Sequence, residues 1–576
     1  MSRPAVRRMA AIAVRFGAML PALLVSLPAA FWVWGATVRA SWSTLGRDQG
    51  IFQYIAWAVS QGDVAYRDVR DVNGPVITMV HALFLRLGGA DEHRFRTLDL
   101  FVTGISFAIA GVLIPSLSMS ERAVRVRERI AWAFAATVLL LSQYVVYGFW
   151  DTAQRESFLD WFVLVSIALV ATRGASGDLR SRLTLVTLLG AGALSFVPWF
   201  GKPTFASFTA VEIVALLVSP EPFVYRVRRV GVFLAGGMLG AAVPLAFVAF
   251  RGDLASWATI TFVDVPRMYR FIWPRSASAI FSLPGYASIA WTTLLTSAGL
   301  ALLILLRILP RRTLPIVAMP LLGILSVIVQ AKGFPYHFHP VTLGISFGWL
   351  VALFALWDTE ATRRLPFGTT LRRAVVVVAS VLVGARAIFL AWTAPYPAAP
   401  PRDAREKSSL ESAARLSAFD RIDYFPRALR DAAEYVAART NADDRVQLYA
   451  MDPYLLFLAG RRSASPYIYA YDLNVDAALH GSFDPDGLRP KPPEIERIRA
   501  MRDAHEKDLV ERLRRAPPAA FVFVDRSPLM SWQGAVEDFE VHCPEAAAWV
   551  ESRYRQTAEF DGIRVWLRDD VADRTP

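Results

Sequence analysis

Residues 230–250 read VGVFLAGGMLGAAVPLAFVAF, an apolar run with no charged side chain. An α-helix rises about 1.5 Å per residue, so roughly 20 such residues cross about 30 Å of hydrocarbon. Outward from this segment, runs of similar character recur at 11–38, 97–118, 130–149, 157–172, 183–200, 204–219, 287–307, 314–331, 341–357 and 374–394. Few of them carry a charge at the centre. The pattern predicts a mainly α membrane protein, with about eleven transmembrane helices over residues 1–394.

Past residue 394 the character of this 576-residue chain changes. Charged residues become dense, and apolar runs shrink to the length of strands or short helices. APYPAAPPRD at 394–403 marks residues 395–423 as a linker or surface strap. Over 424–576, helix signals at 427–439, 453–458, 503–515 and 545–554 alternate with strand signals at 446–450, 517–525 and 563–567. This alternation predicts a small water-soluble α/β domain with a largely parallel sheet.

The single cysteine, Cys543, excludes an intramolecular disulfide, a cysteine-based zinc site and a CxxC redox motif. The net charge of +12 calls for no nucleic-acid partner, because the arginines cluster in short loops between apolar runs. Those loops set an orientation, since cytoplasmic loops carry the excess of Lys and Arg. Arg3, Arg7 and Arg8 precede the first run, which reads as an uncleaved anchor with a cytoplasmic N-terminus. Every second loop is then arginine-rich and inside: Arg122, Arg125, Arg127 and Arg129; Arg173, Arg180 and Arg182; Arg226, Arg228 and Arg229; Arg307, Arg311 and Arg312; Arg363, Arg364, Arg372 and Arg373. The count holds if PVITMVHALFLRLGG at 75–89, with His81 and Arg86, lies in the interface as an amphipathic helix. The outer face then receives 39–96, 150–156, 201–203, 251–286, 332–340 and the C-terminal domain.

The first outer loop contains GRDQGIFQYIAWAVSQGDVAYRDVRDVNGP at 46–75. Apolar spacing over 50–60 predicts a surface helix ending at Gly62, and Asn73-Gly74-Pro75 is a turn signal. A carboxylate at a membrane boundary is costly to desolvate, so Asp48 either caps the surface helix or has a chemical task. FWDTAQRESF at 149–158 adds Asp151 and Glu156 around Arg155. Lys202 lies in WFGKPTF, where it either snorkels to water or neutralises an anion. QAKGFPYHFHP at 330–340 offers Lys332, Tyr336, His337 and His339. The two histidines face apart in an extended segment, which disfavours a shared metal. Lys and His donors beside a Tyr suit a phosphate or pyrophosphate. Arg251, Arg267, Arg270 and Arg275, among Trp257, Tyr269, Phe271 and Trp273, are unusual for an outer loop. Acidic groups near the first and third spans and basic groups near later ones suit a lipid-linked phosphate sugar. A carboxylate would deprotonate an acceptor hydroxyl, and cations would stabilise the departing lipid phosphate. No GxGxxG or GxxxxGK[ST] nucleotide fingerprint is present.

These residues resemble the GT-C class of membrane glycosyltransferases, in the bacterial branch related to protein O-mannosyltransferases and aminoarabinose transferases. The family pattern is approximately Asp-Glu-x-x-Tyr, a helix ending in Gly, Tyr-x-Asp, then a turn with Pro and a half-buried helix. It is matched by Asp48-Gln49-Gly50, Gly62, Tyr66-Arg67-Asp68 and Asn73-Gly74-Pro75. Asp151, Gln154 and Glu156 resemble the second acidic site, Gly201-Lys202-Pro203 the short Lys-Gly-type turn, and 332–340 the donor-side motif. The resemblance implies a hexosyl or pentosyl transferase, with inverting, metal-independent transfer from a polyprenyl-phosphate sugar to a lipid, glycan or protein acceptor. Its expected setting is the outer face of the bacterial inner membrane. Asp48 would be the base, Asp151 or Glu156 would assist, and Lys202, Lys332, Tyr336 and His337 would hold the donor phosphate. Gln49 stands where the pattern has a second acid, and Gly74 where a Lys often precedes the Pro. Arg47, Arg67 and Arg70 are the alternative cations for that contact. The competing readings are a transporter or lipid flippase, for which Glu212 is the one intramembrane candidate, and a non-catalytic scaffold.

Overall fold

In the computed structural model, each of the eleven expected spans is helical. The helices are α1 Leu20–Ser41, α4 Glu92–Leu113, α5 Val126–Val145, α6 Arg155–Ala171, α7 Arg182–Phe196, α8 Ala206–Leu217, α9 Phe223–Arg251, α10 Tyr286–Leu305, α11 Leu314–Gln330, α12 His339–Trp357 and α13 Thr369–Thr393. Two further helices, α2 Arg47–Ser60 and α3 Pro75–Gly88, fall between α1 and α4. The residues described are 17–117, 124–172, 174–358, 362, 368–400, 413–480, 488–528 and 534–573. Arg3, Arg7, Arg8, Arg122, Arg173, Arg363, Arg364 and residues 401–412 of the expected linker lie outside them.

Eight of these helices are long and apolar enough to cross a membrane: α1, α4, α7 and α9 to α13. The chain is therefore a multi-pass membrane protein. The remaining three are 20, 17 and 12 residues long for α5, α6 and α8. The small residues of the 230–250 run explain one close packing. Gly236 and Gly240 of α9, with Gly192 of α7, lie so near the opposing backbone that a Cβ would overlap the carbonyls of Leu189, Ala193 and Phe233. In lipid, small residues of this kind let two helices approach and gain dispersion contacts.

The helices run alternately between two ends. At one end the arginines of alternate loops cap helix carbonyls: Arg129 donates to Val112 O, Arg226 to Leu217 O, Arg229 to Ser176 and Gly177 O, and Arg312 to Ala171 O. The start of α1 is there too, since Trp357 donates to Gly17 O and Trp132 to Ala18 O. The other end gathers the remaining loops and the C-terminal domain.

That domain comprises α14 Pro426–Arg439, β1 Arg445–Tyr449, α15 Tyr454–Ala459, β2 Arg462–Ser463, α16 Pro492–Arg515, β3 Ala520–Val524, α17 Ala535–His542, α18 Pro544–Glu551, β4 Tyr554–Phe560 and β5 Ile563–Arg568. Its sheet has the order β2-β1-β3-β5-β4. The β2-β1-β3 half is parallel, as expected, but β3-β5-β4 is antiparallel. The expectation of a largely parallel sheet is corrected to a mixed one. The missed hairpin turns at Asp561-Gly562, both at positive φ (46° and 80°), the Asp-Gly signature of a tight hairpin. A strand, β4, begins where helix was expected to end.

The domain docks on the segment between α1 and α4 through one buried ion pair and two partly exposed ones. Arg430 pairs with Glu92 at 2.6 Å, and Arg445 and Arg462 meet Asp63 at 3.1 and 3.2 Å. Tyr454 of α15 packs against Gly50 of α2, where a Cβ would touch its ring.

Candidate active site

The first turn of α2 places the candidate base. Gly46 precedes the helix in extended conformation, and its N–H donates to Gln49 Oε1. Gln49 Nε2 donates to the carbonyls of Thr152, Trp150 and Phe149 at 2.6, 3.0 and 3.3 Å. An amide suits this position, because a carboxylate would face three carbonyl oxygens. The residue that departs from the family pattern is thus a brace tying α2 to the loop before α6. It brings Asp48, which is not the cap, beside Asp151, Gln154 and Arg155.

Asp48 is half-buried and hydrogen-bonds Gln154. Burial holds its carboxyl above the ordinary carboxylate range, against the pull of Arg155 and Arg47. Asp151 accepts a hydrogen bond from the Tyr336 backbone N–H, and its carboxyl is pushed up to about 7 by burial and then by the charge of Asp48. Arg155 donates to Asn73 Oδ1 at 2.6 Å and hydrogen-bonds Tyr336. Glu156 is buried and paired with Lys202, which also donates to Gln330 Oε1. Burial lowers the Lys202 ammonium to about 8, opposed by Glu156. His337 Nε2 lies 3.6 Å from Glu156 Oε1, whereas His339 Nε2 meets Asp151 O at 2.7 Å. The two histidines serve different neighbours, although the segment is not extended as expected: Pro335–Phe338 forms a 3-10 turn that leads into α12 at His339. Among the described residues, no three of His, Cys, Asp or Glu form a group able to hold a metal ion.

Asp48, Asp151, Glu156, Lys202, Tyr336 and His337 therefore meet at one end of the bundle. Buried atoms among them have no hydrogen-bond partner in the described structure: Asp151 Oδ1, Glu156 Oε2, His337 Nδ1, Gln154 Oε1 and Arg155 Nε. Native interiors rarely leave several such groups together, and binding sites are where they do.

Of the other expected phosphate contacts, Arg67 and Arg70 are engaged elsewhere, and Lys332 is held by backbone carbonyls within electrostatic reach of His337. Arg67 is exposed and forked onto Asp68 at 2.8 and 2.9 Å. Arg70 is buried between Asp472 (2.9 Å) and Asp264 (2.8 Å), joining two loops to the C-terminal domain. Lys332 donates to the carbonyls of Tyr269, Arg270 and Ile272; with no carboxylate beside it, burial lowers its ammonium to about 7. Arg47 is likewise engaged, by Asp423 (2.8 Å) and Asp452 (2.9 Å).

Sequence reasoning gave two cations no role. Arg155 was legible, lying between Asp151 and Glu156 in the chain. Arg421 was not: it comes from the expected linker, stands over the rings of Phe149 and Trp150 at 5.3 and 5.7 Å, and acts on the Asp151 carboxyl.

Gly74 shows why a Lys is missing before Pro75. A Cβ there would overlap the Phe200 carbonyl, because the loop crosses the backbone immediately before Lys202. Gly74→Ala is expected to destabilise the protein by about 1–3 kcal/mol, the usual range for overpacking. Comparing unfolding midpoints in detergent checks it, and an unchanged midpoint would refute the contact.

No family model matches the sequence, and no curated protein does. Solved structures do match. ArnT from Cupriavidus metallidurans in the apo state, an aminoarabinose transferase of the GT-C class, is 15% identical, with a TM-score of 0.53 over 95% of this chain and 98% of that one. ArnT bound to undecaprenyl phosphate is 13% identical with a TM-score of 0.49 over the same shares. An Archaeoglobus fulgidus oligosaccharyltransferase, in complex with Zn and sulfate, is 10% identical with a TM-score of 0.40 over 88% of this chain and 67% of that one. The likeness to apo ArnT establishes a GT-C fold here, in agreement with the resemblance carried by the sequence motifs.

Proposed function

We propose that this protein transfers a sugar from a polyprenyl-phosphate donor to an acceptor hydroxyl, without a metal ion, on the extracytoplasmic face of the bacterial inner membrane. In this reading all eleven helices cross the bilayer, the N-terminus is cytoplasmic and the C-terminal domain lies outside. The observation that carries it is the meeting of two close carboxylates with Arg155, Lys202, Tyr336 and His337 at one end of the bundle, several of their buried polar atoms unpartnered.

Asp48 takes the proton of the acceptor hydroxyl. The freed oxygen attacks the anomeric carbon, the bond from that carbon to the phosphate oxygen breaks, and its electron pair leaves with the polyprenyl phosphate. Direct displacement inverts the anomeric centre. Arg155, Lys202, Tyr336 and His337 stabilise charge on the departing phosphate. Asp151 assists by its closeness to Asp48, while Glu156 keeps Lys202 in place. A carrier mechanism fits less well. Glu212 accepts hydrogen bonds from Ser166 (2.5 Å) and Ser195, so both oxygens staple α6, α7 and α8 together rather than face a path.

Proteoliposomes supplied with a polyprenyl-phosphate sugar radiolabelled in the sugar and with candidate acceptors should release polyprenyl phosphate and move the label to an acceptor. Intact donor crossing the bilayer without cleavage would make the protein a flippase instead. The base must be ionised, and its folded pKa is raised, so activity is lost as pH falls through that raised value. The acid limb of kcat/KM is expected above about 4, the free-carboxylate value. A limb at the free-carboxylate value in the wild type would refute the assignment.

A further inference from the structure

The arginines between α9 and α10 are not used by this chemistry. That segment leaves the end of α9 at Gly252 and runs through a short helix, Leu254–Thr259, into a π-turn, Ile260–Asp264. It forms one wall of a groove of about 300 Å³, and α16 of the C-terminal domain forms the other. Phe262 and Pro266 supply an apolar floor, and Arg267, Arg270 and Arg497 surround it. Glu494, the one acidic residue of the lining, is already paired with Arg270, which also covers the Phe271 ring at 4.4 Å. Arg267 and Arg497 are exposed, and no ion pair engages either of them among the described residues. Phe262 is itself 65% exposed, and beside the groove Phe250 is 85% and Leu254 47% exposed. Phe250 lies in the last turn of a helix long and apolar enough to cross the bilayer, and Leu254 and Phe262 follow it, so the groove opens at the level of the headgroups.

The geometry points to a binding site for the headgroup of an anionic membrane phospholipid. Arg267 and Arg497 take the phosphate, which a planar guanidinium grips through paired N–H donors. The acyl chains descend past Phe262, Leu254 and Phe250 into the bilayer. This accounts for positive charge on loops that membrane proteins ordinarily keep poor in it. It also gives the C-terminal domain a lipid-mediated contact with the membrane, independent of what Asp48 does. The occupant is an amphiphile rather than free phosphate because the apolar floor and the exposed Phe residues continue the groove toward lipid.

The test uses the full-length protein, delipidated and placed in nanodiscs of phosphatidylcholine with a rising fraction of phosphatidylglycerol. Native mass spectrometry counts retained lipid, and thermal unfolding reads stabilisation. Wild type is expected to retain phosphatidylglycerol selectively and to gain in unfolding midpoint as its fraction rises, less so at high salt. The double variant R267Q/R497Q should weaken retention by more than tenfold, on the order of fivefold for each arginine near an anionic surface. The control R514Q/R515Q removes the same charge from the far end of α16, roughly 25 Å away at 1.5 Å per residue, and should leave retention unchanged. Equal retention in wild type and R267Q/R497Q would overturn the site. So would an equal loss in the control pair, or an equal midpoint gain from inorganic phosphate alone.

Discussion

Asp48→Asn is expected to lower the turnover number by about 10²–10⁴-fold, the usual contribution of a general base, while leaving the unfolding midpoint of the purified protein unchanged. The two parts of this expectation belong together. Asp48 does not cap α2: Gly46 occupies that position, and Gln49 carries the contacts to the Phe149–Thr152 carbonyls. Asparagine keeps the shape of the side chain and removes only the capacity to take a proton. Burial disfavours the charged form of Asp48, so its loss does not remove a stabilising ion pair. Donor turnover and thermal unfolding, measured on the same preparation, check both parts. An unaffected rate would remove Asp48 as the base and leave Asp151, its neighbour on the loop before α6, as the next carboxylate to test. A lost rate with a collapsed midpoint would show a structural role.

Arg47→Gln is expected to cost about 3–5 kcal/mol, the range for removing one member of a buried ion pair. Arg47 lies next to the proposed base, but its charge is spent on the C-terminal domain. Nε meets Asp452 Oδ1 at 2.9 Å, Nη1 meets Asp423 Oδ2 at 2.8 Å, and the guanidinium stands beside the touching rings of Trp150 and Tyr424, 5.8 and 5.7 Å from their centres. Without it, two carboxylates face each other with no cation between them. The expected result is an early unfolding transition of the C-terminal domain and a large loss of turnover. The triple variant with Asp423→Asn and Asp452→Asn separates the causes. Stability should recover, because no lone charge stays buried. The acid limb of the rate profile should still sit higher than in wild type, because Arg47 favours the ionised form of Asp48. A triple variant with the wild-type profile would show that Arg47 only holds the domain on.

Much of the fold was legible because it is set locally. A run such as 230–250 is apolar whatever surrounds it, and its length alone matches the bilayer. The arginine loops were equally readable, and they do gather at one end. The Asp561-Gly562 turn is written in the sequence too, but helix and strand signals that alternate along the chain do not by themselves distinguish its hairpin from a parallel crossover. The site was legible in part. Asp48, Asp151, Glu156, Lys202, Tyr336 and His337 converge, because each lies at the mouth of a span on the same side. Arg67 and Arg70 looked equivalent to them by residue type and position, yet Asp68, Asp264 and Asp472 claim them. A one-dimensional pattern shows that a cation is present and not whether its charge is already answered.

What the sequence determined alone is which segments prefer hydrocarbon to water and on which side of them charge collects, since transfer free energy adds up residue by residue along the chain. Only the tertiary structure decided which charges meet. The Arg47–Asp452 pair, the Glu156–Lys202–Gln330 group and the close pass of Gly74 under Phe200 join residues far apart in the chain. Electrostatic attraction and steric contact act over a few ångströms, so these partnerships exist only once helix packing has brought their loops to the same end of the bundle.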